Sequence, residues 1–138
     1  MKIFLDANIL VSVLNKEYPL FSYSSRILSL IDNRRFTVFT SPICLAIAFY
    51  FAEKKSSAAS AKKRISLLAE KIHITDTGKD VVLNAAKDPK VHDFEDGLEY
   101  YSAKKSQCDL IITEDVNDFY FSSIEVLCAK DFMEKYLR

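Results

Sequence analysis

Glycine and proline are nearly missing from this chain, with two and three residues in 138. Sandwiches and barrels, which place such residues at many tight turns, are thereby excluded, and a hydrophobic content of 49% excludes disorder. Charge of one sign is also missing, because nineteen Lys and Arg balance nineteen Asp and Glu. With zero net charge there is no overall field to draw in a polyanion, so any nucleic-acid contact has to come from local basic patches. The two histidines, His73 and His92, have no histidine or cysteine partner at zinc-ligand spacing. Cys44, Cys108 and Cys128 form no close pair and sit among apolar neighbours, which reads as reduced core thiols. The longest apolar run, residues 42–52, is far short of the roughly 20 needed to cross a bilayer. The N-terminus opens on a strand and Asp6 rather than on a basic, apolar, cleavable leader. A soluble cytoplasmic chain without membrane attachment is expected.

What is present is alternation. The length suits one domain over residues 1–138 with a proper core. Buried strands are expected at residues 2–5, 36–39, 72–74, 109–112 and 124–127. Between them, helical patterns run over residues 8–14, from a cap at Ser22 to about 33, over 42–55, 61–70, 79–86 and 93–105, and from a cap at Asp131 to 137. Ser41-Pro42 opens the helix at 42 with a cap and a proline at its first position. That helix is apolar nearly all round, so it belongs deep in the core or against a second subunit, and a homodimer is expected. Strands spaced by helices predict a three-layer α/β/α fold around a mainly parallel five-stranded sheet.

The chemistry-bearing residues sit where that architecture would gather them. Met1-Lys2-Ile3-Phe4-Leu5-Asp6-Ala7-Asn8 is an apolar strand delivering a carboxylate, and Asp109-Leu110-Ile111-Ile112-Thr113-Glu114-Asp115 repeats the pattern. In open α/β sheets ligands bind beyond the carboxyl ends of the strands, so acids there converge if the strands are neighbours. Asp93, Glu95, Asp96 and Glu99 crowd the start of one helix, where the macrodipole alone would stabilise them. Asp93 and Asp96 share a face of it, and Asn117-Asp118-Phe119 adds a further acid. Like charges held together call for a cation, and hard oxygen donors suit Mg²⁺ or Mn²⁺. Lys54, Lys55, Lys62, Lys63, Arg64, Lys104 and Lys105 form the basic patches, and Tyr100 and Tyr101 are available to stack on bases.

Three segments together, residues 1–10, Asp93-Phe94-Glu95-Asp96-Gly97-Leu98, and Ile112-Thr113-Glu114-Asp115 through Phe119, resemble the motif regions of PIN-domain nucleases. The resemblance spans nearly the whole chain, and it is strongest to the VapC-like toxins found beside bacterial antitoxins and to related stand-alone PIN proteins. It implies a ribonuclease that uses Mg²⁺ or Mn²⁺ to hydrolyse single-stranded RNA, with an antitoxin as partner. By the resemblance Asp6, Asp96 and Asp115 are the catalytic metal ligands, and Asn8, Asp93, Thr113, Glu114 and Asp118 support them. One position departs from the pattern: the family glutamate on the helix opening at Ser41 is replaced by Ile47, and no acid occurs between Asp32 and Glu53.

Two rival readings follow from these same residues. A haloacid-dehalogenase-like phosphotransferase needs a second aspartate two residues after the first, and Asn8 stands there. The other rival is a catalytically degenerate PIN fold serving as a binding or oligomerisation module, with Ile47 as its mark.

Overall fold

Every strand of the sheet is parallel and the strand that opens the chain lies at its centre. The computed structural model describes residues 1–137. Its elements are β1 (Lys2–Leu5), α1 (Ala7–Leu14), α2 (Phe21–Leu28), β2 (Thr37–Thr40), α3 (Pro42–Lys55), α4 (Ala58–Lys71), β3 (His73–Ile74), α5 (Lys79–Lys87), α6 (Phe94–Lys105), β4 (Leu110–Ile112), β5 (Glu125–Leu127) and α7 (Ala129–Tyr136). Short 3₁₀ turns occupy Ser29–Asp32 and Val116–Phe119. The sheet order is β3-β2-β1-β4-β5, with Ile3 paired to both Val38 and Leu110. Successive strand side chains point to opposite faces, yet Ile3, Phe4 and Leu5 are all fully buried, as are Leu110, Ile111 and Ile112. Both faces of the sheet centre are therefore covered, which is the three-layer α/β/α arrangement expected from the alternation.

The topology positions the cleft. From β1 the chain builds outward through β2 to β3, then returns to place β4 on the other side of β1. The order reverses between β1 and β4, and such a switch point opens a crevice at the strand ends. The backbone N–H of Asp6 donates to the Ile112 carbonyl at 3.0 Å, so the two strand tips stay joined up to the crevice.

Helix starts differ from expectation where the capping group comes from elsewhere. Ser41 accepts from the Cys44 N–H at 3.1 Å, as expected. Ser22, in contrast, lies inside α2, which begins at Phe21 with no side-chain cap; the carbonyls of Glu17, Pro19 and Leu20 take the first N–H groups instead. Asp131 falls within the first turn of α7, where the helix dipole still favours its charge, and the N-cap position belongs to Cys128. α4 starts at Ala58, ahead of the expected residue 61, because Ser57 caps it by accepting from the Ser60 N–H.

α3 is less enclosed than its composition implied. Its buried stripe is Cys44, Ala48 and Ala52, small residues that let it pack closely on α1, α4 and α6, while Tyr50 and Phe51 are 52% and 44% exposed. Among the described residues no helix is long and apolar enough to cross a membrane.

Candidate metal centre

Thr113 is the hub on which the crevice is built. It is fully buried just past β4, and its hydroxyl donates to Asp6 Oδ2 at 2.7 Å while accepting from the Asp115 N–H at 3.0 Å and from Asn8 Nδ2 at 3.2 Å. Asn8 reaches across from α1 as well, donating to Asp115 Oδ2 and accepting from the Glu114 N–H, each at 3.2 Å. The other oxygen of Asp6 accepts from the Ala7 N–H at 2.6 Å, so this residue caps α1 and faces the cleft at once. Asp93 likewise does both, capping α6 through the N–H groups of Glu95 and Asp96 while lining the cleft.

Around these residues lies a cleft of about 470 Å³. Asp6, Asn8, Asp93, Asp96, Glu114, Asp115 and Asp118 all line it, so seven of the eight residues expected on the site share one cavity and the eighth, Thr113, organises it from behind. Glu114 is partly engaged elsewhere: its Oε2 accepts from the Ala129 N–H at 2.9 Å and so caps the start of α7. The basic residues are more remote. Lys54 lies over the Tyr50 ring, Lys55 touches the Asn15 carbonyl, and Lys104 lies over Tyr100. Lys105 pairs with Asp80.

Two residues of the cleft region escaped the sequence reading. Glu99 lines the cleft yet is 1% exposed. The fully buried Cys44, read as a core thiol, donates its S–H to Glu99 Oε1 at 3.0 Å, with Asp6 Oδ1 at 3.9 Å from its sulfur. The signal for Glu99 was its place on α6: three residues beyond Asp96, on the side that carries the buried Ser102 and Ala103. For Cys44 there was none, since only the packing of α3 on α6 brings it to the acids.

The electrostatics are those of crowded anions. Burial, then Asp93, Asp6 and Asp118, push the Asp96 carboxyl up to about 7. Burial and a hydrogen bond shared with Asp6 push Glu99 further, to about 11, although the Cys44 thiol works against this. Burial and the Glu99 and Asp6 charges in turn hold the Cys44 thiol well above its ordinary range, so it is an inert neutral donor.

The donor set fits a hard divalent cation. One oxygen or sulfur from each of Asp6, Cys44 and Glu99 lies within 4.8 Å of the others, and the same holds for Glu95, Asp96 and Glu99. All but one of these donors are carboxylates, the ligands that Mg²⁺ and Mn²⁺ take. Ile47, half-buried, forms part of the cleft wall, so the departure noted in the sequence does face the acids. Ile47→Glu is therefore expected to tighten Mn²⁺ binding by roughly tenfold and to lower the melting temperature in EDTA, since a further anion joins the cleft. Calorimetric titration and a melting curve check both; unchanged values in the two would refute this placement.

A parallel sheet with carboxylates gathered at its switch point defines an α/β domain with an acidic cleft. Sequence comparison gives that class its family. The model of the PIN domain matches residues 2–117, and the chain belongs to the PIN domain family. It is 30% identical to Ribonuclease VapC1 of Aquifex aeolicus over 142 aligned positions, covering 98% of this chain and 95% of that protein. Its fold is similar to VapBC2 from Rickettsia felis, solved bound to a DNA fragment from their promoter, with TM-score 0.69, 19% identity, and coverage of 92% of this chain and 97% of that one. VapBC-1 from nontypeable Haemophilus influenzae gives TM-score 0.68 at 19% identity, covering 94% of this chain and 99% of that chain.

Proposed function

We propose that this chain is a metal-dependent endoribonuclease that hydrolyses phosphodiester bonds of single-stranded RNA, and that it is the toxin of a toxin–antitoxin pair. The observation that carries the reading is the convergence of Asp6, Asp96 and Asp115 on one cleft at the sheet's switch point, in a PIN-family chain that matches a ribonuclease over almost its full length. Asp6, Asp96 and Asp115 are the ligands for Mg²⁺ or Mn²⁺. A divalent cation held there lowers the pKa of a water molecule and neutralises charge developing on the scissile phosphate.

The remaining residues orient this set. Thr113 and Asn8 hold Asp6 and Asp115 at a fixed spacing through the hydrogen bonds described above. Asp93 fixes the first turn of α6 and thereby the direction of Asp96. Asp118 faces the same cleft and adds to its negative field. Of the basic residues, Lys54 and Lys55 follow Phe51, which lines the cleft, and are better placed for an RNA backbone than Lys104 and Lys105. The latter pair ends α6, on the order of 13 Å along the helix from Asp96.

Purified protein should cut single-stranded RNA with Mg²⁺ or Mn²⁺ and stop in EDTA; equal cleavage by Asp96→Asn would mean a contaminating nuclease. The degenerate binding module stays in contention on one observation, the apolar Ile47 in the cleft wall. A folded chain that binds RNA but never cuts it would favour that module.

Assembly follows from α3 and α4. Tyr50, Phe51 and Leu67 are 52%, 44% and 51% exposed, and a groove lined by Leu45, Ala46, Phe49 and Ile65 runs between the two helices. An apolar surface of that kind calls for a partner, and a second copy of the chain satisfies it by two-fold symmetry. Light scattering should give twice the 15.8 kDa of one chain. A monomer at every concentration would refute the dimer. The antitoxin is expected as a further protein partner that co-purifies when its gene is expressed alongside.

A further inference from the structure

We propose that Glu99 is a ligand of the divalent cation in this chain, supplying from α6 the carboxylate that α3 lacks at Ile47. The proposal rests on reading the cleft as a metal site and adds a residue that the sequence pattern did not assign. Ile47 lies three residues along α3 from Cys44, so the two share a face of that helix. The Cys44 thiol donates to Glu99 Oε1 at 3.0 Å, so the Glu99 carboxyl spans from α6 to the α3 wall one turn from Ile47. Glu99 alone belongs to both clusters of potential ligands, the one with Asp6 and Cys44 and the one with Glu95 and Asp96. It therefore sits between the acid of β1 and the acids of α6.

A purely structural residue at this position would be a poor choice. Glu99 is 1% exposed, and among the described residues the side chains that act on it are Asp6, Cys44 and Asp96, none of them cationic. Its buried neighbours on α6 are Leu98, Ser102 and Ala103, and an apolar or amide side chain would pack there without the cost of enclosing an acid among acids. A bound divalent cation removes that cost.

The test is calorimetric titration of the EDTA-stripped full chain with MnCl₂, alongside circular-dichroism melting. Glu99→Gln keeps the shape of the side chain and removes one anionic oxygen. It should weaken Mn²⁺ binding by about tenfold or more, with the fold retained. The double variant Ile47→Glu/Glu99→Gln, which returns an acid to α3, should recover Mn²⁺ affinity to near the wild-type value. Wild-type affinity in Glu99→Gln, with binding lost in Asp6→Asn, would overturn the proposal and leave the metal site standing. No Mn²⁺ binding by the wild type would overturn the metal site itself. Should Glu99→Gln fail to fold, Glu99→Asp keeps the charge and shortens the reach; undiminished Mn²⁺ binding by that variant would equally overturn the proposal.

Discussion

Asp6→Asn is expected to slow RNA cleavage by roughly a thousandfold at saturating Mn²⁺. A divalent cation contributes several kcal/mol of charge stabilisation in such a reaction, and ~4 kcal/mol corresponds to about three powers of ten in rate. Asp6 is where the loss should be largest, because it ends the central strand and its two oxygens are held by the Ala7 N–H and the Thr113 hydroxyl. The substitution turns one of those acceptors into an amide donor, so folding has to be checked by circular dichroism. Asp96→Asn supplies the second variant, since no helix cap depends on its side chain among the described hydrogen bonds. Full activity in a folded Asp6→Asn chain would remove Asp6 from the site.

The second large effect concerns the metal-free protein, whose melting temperature should fall between pH 5 and pH 8. Asp96 is raised from 3.8 to about 7, so the folded chain keeps a proton that the unfolded chain has already lost. The stability this lends is complete below about 3.8 and is gone once the pH has risen through about 7. Glu99, raised to about 11, acts in the same direction throughout that range. Asp80, Asp88 and Glu125 are lowered by their hydrogen-bond partners, but their stabilisation is lost only as pH falls below the usual carboxylate range. They do not compete between pH 5 and pH 8. Because Asp96 is only half-buried, solvent screening reduces its share to ~1 kcal/mol, or about 4 °C in a domain of this size. Asp96→Asn should accordingly melt a few degrees higher than wild type in EDTA at pH 8 and show a shallower pH slope. Mn²⁺ should then stabilise wild type more than the variant, since binding to the native state adds RT ln(1 + [L]/Kd). An unchanged or lower melting temperature, with equal Mn²⁺ responses, would mark these acids as helix caps alone.

Local patterns made much of this protein legible in advance. The strand Lys2–Leu5 ends on Asp6, and the strand Leu110–Ile112 leads through Thr113 to Asp115, so the acids of the strand tips could be placed from consecutive residues. Asp93 and Asp96 were legible from helical spacing. What stayed hidden depends on contacts between distant segments. Glu99 looked like one more charge at a helix start, and its role emerges only when α3 packs on α6 and Cys44 closes over it. The start of α7 was misplaced because Glu114, fifteen residues upstream of Ala129, provides the oxygen that Asp131 was expected to offer. α3 looked apolar all round because its buried stripe is made of small residues, while Tyr50 and Phe51 face outward.

The central claim is that the cleft between β1 and β4 holds a divalent cation that drives RNA hydrolysis. It is tested most directly by following an end-labelled single-stranded RNA with chain stripped in EDTA and then given Mn²⁺. The account predicts no cleavage in EDTA, cleavage on Mn²⁺ addition, and cleavage far slower than wild type from equally pure Asp6→Asn or Asp96→Asn. Cleavage that persists in EDTA, or that both variants reproduce at the wild-type rate, would contradict it.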